Sequence, residues 1–163
     1  MPRRRKNKAA SPLHHLGGPL PARFGDRFAG QLLVFCDASR KRHGGLAAVL
    51  FFDGETVSVS ASCTVPATGS NELELQANLF GLQQAERHFP GRPLAVFTDN
   101  QDAATRLNRA SELGLAQDPA LATMLHGLDL AGILAHASIH WVKGHSTCRG
   151  NVLADELAGA AAG

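Results

Sequence analysis

No run of about 18 apolar residues, the length a membrane-spanning helix needs, occurs in this 163-residue chain. Its basic start is not followed by the apolar core of a secretory signal. The expectation is a protein that neither spans a membrane nor is exported. Cysteine is scarce as well. Cys36, Cys63 and Cys148 are odd in number, widely spaced and without a CxxC pair, which argues against a disulfide framework and a structural zinc site and fits a reducing, cytoplasmic setting. Charged residues make up 18% against 44% hydrophobic, a balance that allows a sizeable core and excludes a disordered chain. No internal repeat is visible.

Positive charge is unevenly spread. Residues 1–29 carry seven bases (Arg3, Arg4, Arg5, Lys6, Lys8, Arg23 and Arg27) against Asp26 alone, so the remaining chain is net acidic. We read residues 1–29 as a basic, flexible N-terminal extension, because Pro, Gly and bases leave too little apolar surface to offset the entropy of ordering. Residues 30–163 form one globular domain. A basic arm ahead of a mildly acidic domain is common in nucleic-acid proteins and equally common as a solvated tail.

Within the domain, QLLVFCDAS has the aromatic and β-branched content of a buried strand. LAAVLFFDGETVSVSASC reads as two strands around the turn signal Asp53-Gly54. Helix formers fill SNELELQANLFGLQQAERHF up to Pro90-Gly91. A second buried strand, PLAVFTDN, precedes helical segments around 101–112 and 118–133, a strand at SIHWV, and a closing helix from about Asn151. The order β-β-β-α-β-α-α-β-α gives an α/β fold with a mixed sheet flanked by helices.

Strand alternation puts Leu33, Phe35 and Asp37 on one face, and Ala95, Phe97 and Asp99 likewise. A right-handed crossover through the 70–89 helix would lay these strands parallel, so both carboxylates emerge at one carboxyl edge, where open α/β sheets bind ligands. Two adjacent ionised carboxylates repel, and a divalent cation relieves that cost. Each acid also has an ordinary reading: Asp37 as a turn residue, Asp99 as a helix N-cap, and Glu74 as the capping-box partner of Asn71. Helical spacing places Glu74 on one stripe with Asn78, Gly81 and Ala85, whose small members let a helix approach a sheet closely. Asp155 has Asn151 one turn before it, and His145 stands ten residues earlier in WVKGHSTCRGNVLADELA.

FCDAS, NELEL, FTDNQ and WVKGH followed by ADELA resemble the motifs of bacterial type 1 ribonuclease H, in order over about residues 31–160. The resemblance implies a ribonuclease H-like, five-stranded mixed sheet with three antiparallel strands followed by parallel additions. It implies that Asp37, Glu74, Asp99 and Asp155 hold two Mg2+ ions (Mn2+ as an alternative), with Asp37 bridging them, and that His145 is a mobile catalytic histidine. Asn71, Gln101 and Asn151 match positions beside the nucleic acid, and amides that both donate and accept suit a 2′-hydroxyl or a base edge.

The chain departs from that pattern twice. After Asp37 stands the short basic stretch Arg40, Lys41, Arg42, and residues 107–140 hold Arg109 as their only Lys or Arg, where many members carry a basic protrusion. Arg40, Lys41, Arg42 and the N-terminal arm are therefore expected to make the phosphate contacts. The expected activity is metal-dependent endonucleolytic hydrolysis of the RNA strand of an RNA–DNA hybrid by a two-metal mechanism, in a monomer. The alternatives are a nuclease of the same fold acting on DNA, as resolvase or exonuclease, and a hybrid-binding module without catalysis.

Overall fold

A computed structural model describes residues 19–66, 69–125, 127–143 and 148–163. Three antiparallel strands open the domain: β1 (Leu32–Arg40), β2 (Gly44–Phe52) and β3 (Glu55–Cys63). β2 and β3 are joined by Asp53 and Gly54, both at positive φ (49° and 79°), the conformation that a two-residue hairpin turn demands. Helix α1 (Ser70–His88) crosses to β4 (Leu94–Thr98), which pairs in parallel with β1, and β5 (Ala137–Trp141) adds in parallel beyond it. The sheet order is β3-β2-β1-β4-β5, the five-stranded mixed sheet that the family resemblance implied. Among the described residues no helix is long and apolar enough to cross a membrane.

Alternation along the strands divides the core in two. Leu32, Val34, Cys36, Leu50, Val96 and Ile139 face α1 and α2 (Gln101–Leu113). Leu33, Phe35, Val49, Phe51, Ala95 and Phe97 face the closing helix α5 (Arg149–Ala162). The expected helix over 118–133 is instead two short ones, α3 (Pro119–Thr123) and α4 (Leu130–Leu134). Asp118 caps the first by accepting from the Leu121 N–H, and Asp129 caps the second by accepting from the Gly132 N–H, both at 3.1 Å. Gly127 between them takes φ 82°, so two start signals and a left-handed residue outweigh the apolar periodicity.

The segment 19–30, which composition alone assigned largely to the extension, lies on the α5 face. Phe28 is buried against Phe97 and His140, with ring centroids 5.3 and 4.7 Å away, and Phe24 packs edge-on to Phe28 at 5.6 Å. The Pro19 carbonyl accepts from the Gly150 N–H at 3.1 Å.

Close approach of α1 to β1 depends on Gly81. A Cβ there would run into Cys36 Sγ and come within 3.3 Å of Val34 Cγ1, and both side chains are buried. Gly81→Ala should therefore push α1 off the sheet, and overpacking of this kind costs about 1–3 kcal/mol, more than the gain in helix propensity returns. Thermal melts should show a lower midpoint; an unchanged melt would show that the contact is not limiting.

Candidate active site

Parallel pairing of β1 with β4 ends at Phe35 opposite Phe97, while β1 continues against β2 to Arg40. Asp37 thus sits within a strand, at the point where the sheet opens, rather than in the turn its residue type allowed. Its carboxylate is buried, 4% exposed, and accepts from the Ala38 N–H at 2.9 Å. Asp99 follows β4 directly. The N-cap of α2 is its neighbour Asn100, whose Oδ1 accepts from the Ala103 N–H at 2.8 Å, so helix capping does not account for Asp99. Helix α1 likewise starts from Gly69 without a side-chain cap, which removes the capping-box reading of Asn71 and Glu74.

Asp37, Glu74 and Asp99 converge. One carboxylate oxygen from each lies within 4.8 Å of the other two. Asp155, exposed on α5, lies close enough for its charge to act on Asp37, although it is not among the three acids that converge within 4.8 Å. Asn151 is buried one turn earlier. His145 lies outside the described residues. Asn71 and Gln101 are exposed on α1 and α2, and Arg40 and Arg42 are exposed around the β1–β2 turn. Lys41 is exposed beside them, and its Nζ donates to the Gly159 carbonyl at 3.1 Å near the end of α5, where a cation is favourable. A groove of about 600 Å³ lined by Gly30, Leu33, Phe51, Asp53 and Arg149 lies at the amino end of β1, away from the acids.

Three residues around the acids escaped sequence reasoning as supports. Asn78 is fully buried and donates through Nδ2 to the Glu74 carbonyl at 2.9 Å and to Thr98 Oγ1 at 3.2 Å. Thr98 Oγ1 also accepts from the Asn100 N–H at 3.2 Å. The Trp141 indole donates from Nε1 to the Asp99 carbonyl at 3.0 Å. Asn78 and Thr98 bind α1 to β4, and Trp141 binds β5 to the chain after β4, so the backbones that carry Glu74 and Asp99 are tied together. The one available signal was a polar residue on an otherwise small and apolar stripe, at Asn78, and a threonine closing an apolar strand, at Thr98.

Convergence raises the proton affinity of the acids. Burial, then the neighbouring Asp99 and Asp155 charges, push Asp37 up to about 8 despite the bond from Ala38. Burial, then Asp37 and Asp99, push Glu74 up to about 9. Glu74 Oε2 is buried with no hydrogen-bond partner among the described residues. Behind the acids, burial first and Asp37 second hold the Cys36 thiol far above its usual range, so this cysteine is an inert core residue.

Raised folded-state values mean that the native protein binds protons more readily than the unfolded chain. Without metal, stability is therefore greatest below the ordinary carboxylate range near 4 and declines as pH rises towards about 8 to 9. Asp37→Asn should relieve the penalty. In chelator at pH 9 it should unfold above wild type by on the order of 1–3 kcal/mol, roughly 2–4 °C per kcal/mol for a domain of this size. The gap should close at pH 4, and it should narrow on adding a divalent cation if one binds the native wild-type cluster. Melts of both proteins across pH decide it, and an Asn variant no more stable than wild type at pH 9 would mean the acids do not repel as their positions require.

A sequence model of the RNase H family matches residues 29–163. Among solved structures the fold is similar to that of native Prototype Foamy Virus Protease-Reverse Transcriptase, with a TM-score of 0.61 and 18% sequence identity over 83% of this chain. The chain spans 21% of that structure's length, and a likeness at this identity speaks for the fold alone. No curated protein sequence matches the chain. The family match runs from the start of the sheet to the end of α5 and includes all three converging acids, and on that ground the chain belongs to the RNase H family.

Proposed function

We propose that the chain is a magnesium-dependent endonuclease that hydrolyses the RNA strand of RNA–DNA hybrids, following the bacterial type 1 pattern its motifs resemble, with manganese as an alternative ion. The observation that carries this reading is the buried Oε2 of Glu74, unpartnered among the described residues, within three carboxylates that approach to 4.8 Å. Hard divalent cations prefer oxygen ligands, carboxylates foremost, and a set offering only carboxylates plus an orphaned acceptor fits them. Asp37, Glu74, Asp99 and Asp155 would hold two such ions. Bound there, the ions would supply an activated water and stabilise the leaving 3′-oxygen.

The chain's own residues do the rest. Asp37, packed within β1 and bonded by the Ala38 N–H, is the most buried acid of the set, whereas Asp155 would close it from the exposed side of α5. His145 is proposed to move a proton at the scissile phosphate and to withdraw with the product. Asn71, Gln101 and Asn151 are proposed to contact the hybrid beside the acids. Arg40, Lys41 and Arg42 with the basic residues of the arm would contact phosphates, Lys41 through the donors that its bond to the Gly159 carbonyl leaves over. We assign residues 1–29 and 30–163 to arm and catalytic domain, with 19–29 serving as packing for the domain, and expect a cytoplasmic monomer.

Labelled hybrid, duplex DNA, duplex RNA and single strands, each with Mg2+, Mn2+ or chelator, test the reading. Metal-dependent cleavage of the RNA strand of the hybrid alone is expected; cleavage of DNA would favour a resolvase or exonuclease, and binding without cleavage a non-catalytic module. Asp99→Asn keeps the side-chain size and the backbone bond to Trp141, so it should fold and lose about 10²-fold or more of the cleavage rate. Near wild-type turnover by this variant would remove the metal-site assignment.

Deletion of residues 2–18 removes Arg3, Arg4, Arg5, Lys6 and Lys8 while keeping Phe28 in place. If those bases meet phosphates, hybrid binding should weaken and its log–log salt slope flatten by up to about 0.9 per lost contact, a value calibrated on B-form duplex. An unchanged slope would make the arm a bystander.

A further inference from the structure

The hydrogen bonds around Asn100 run in one direction only. The Ala103 N–H can only donate, so the amide atom of Asn100 that faces it, at 2.8 Å, is the oxygen. The other end of that amide is therefore the nitrogen. It faces Asn71 at 3.0 Å, and because an amide nitrogen only donates, the Asn71 atom that meets it is Oδ1. Asn71 is exposed, and its Nδ2 is turned away from Asn100. The polarity of a solvent-facing amide, ordinarily free to rotate by half a turn, is set by the cap of α2 two bonds away. The Asn100 backbone is itself held, since its N–H donates to Thr98 Oγ1.

We infer that Asn100 is a positioning residue that fixes the Asn71 amide with its N–H donors outward, so that Asn71 recognises hydrogen-bond acceptors of the nucleic acid without regard to base. This rests on the hybrid-cleaving reading above and extends it to sequence preference. In the wide, shallow groove of an A-like duplex, side chains meet 2′-hydroxyls and base edges. Every base pair offers purine N3 or pyrimidine O2 acceptors there, and guanine alone adds a donor, its N2 amino group. An outward donor therefore fits all base pairs. An outward acceptor would prefer guanine or a 2′-hydroxyl acting as donor.

Asn100→Asp tests this. The carboxylate keeps an oxygen for the Ala103 N–H and presents a second oxygen to Asn71, whose amide must then reverse to donate, leaving Oδ1 outward. A negative charge is favourable at a helix N-terminus but adjoins Asp99 and the other acids, so melts are compared in Mg2+, where that repulsion is relieved and the midpoint should stay close to wild type. KM for hybrid cleavage in Mg2+ should be compared among wild type, Asn71→Ala, Asn100→Asp and the double variant, with cleavage positions mapped on a mixed-sequence hybrid. We expect each single change to raise KM about three- to tenfold, the double variant to be no worse than Asn71→Ala alone, and the Asn100→Asp map to shift towards guanine. The added charge acts in either background, so a KM effect of Asn100→Asp that persists undiminished without the Asn71 amide, with an unchanged map, overturns the inference. Absence of hybrid cleavage by wild type would overturn the functional reading itself.

Discussion

Mutual repulsion of carboxylates at a partly desolvated sheet edge is the constraint around which the domain is arranged. Asp37, Glu74 and Asp99 come from a strand, a helix and a loop, and nothing local obliges them to meet. Packing on both faces of the sheet does. Gly81 lets α1 settle on Cys36 and Val34, bringing Glu74 to the edge from one side. On the other, α5 lies over Phe35 and Phe97 and brings Asp155 to Asp37. The free energy opposing this convergence is stored in the native state and becomes available to a cation, which is one way a stable fold gains affinity for an ion.

Much of this was readable from residue order because apolar alternation carries directional information. Leu33-Phe35 and Ala95-Phe97 share the α5 face as alternation requires, with Asp37 next in the β1 register and Asp99 just past β4, and the parallel pairing of the two strands followed from the helix between them. Capping was harder. Thr98, Asp99 and Asn100 are all competent N-caps in a row, and only the exact exit of β4 decides that Asn100 serves. The same ambiguity concealed the break between α3 and α4, where Asp118 and Asp129 lie inside one apolar pattern. Phe24 and Phe28 were lost for a different reason: composition averaged over a Pro- and base-rich segment hides two rings one helical turn apart that find Phe97 and His140.

The polar supports form a graded series from buried to exposed. Asn78 and Thr98 are fully buried and hold backbone; Asn100 is half-buried and bonds both backbone and side chain; Asn71 is exposed. Rigidity thus passes outward from α1 and β4 to a group at the surface. A hydrogen bond of about 1 kcal/mol adds little to stability at such a rim, but it selects between two orientations of an amide that differ by almost nothing else.

Trp141 gives the domain a property unrelated to stability or cleavage. It is the sole tryptophan of a chain that has no tyrosine, and its indole nitrogen is bonded to the backbone of Asp99 while 40% of the side chain remains exposed. Ultraviolet-excited emission from the native protein therefore originates at a single ring beside the acids, and its wavelength and quenching report on the solvent and charge at that one place. The molecule carries its own optical probe, with no background from elsewhere in the fold.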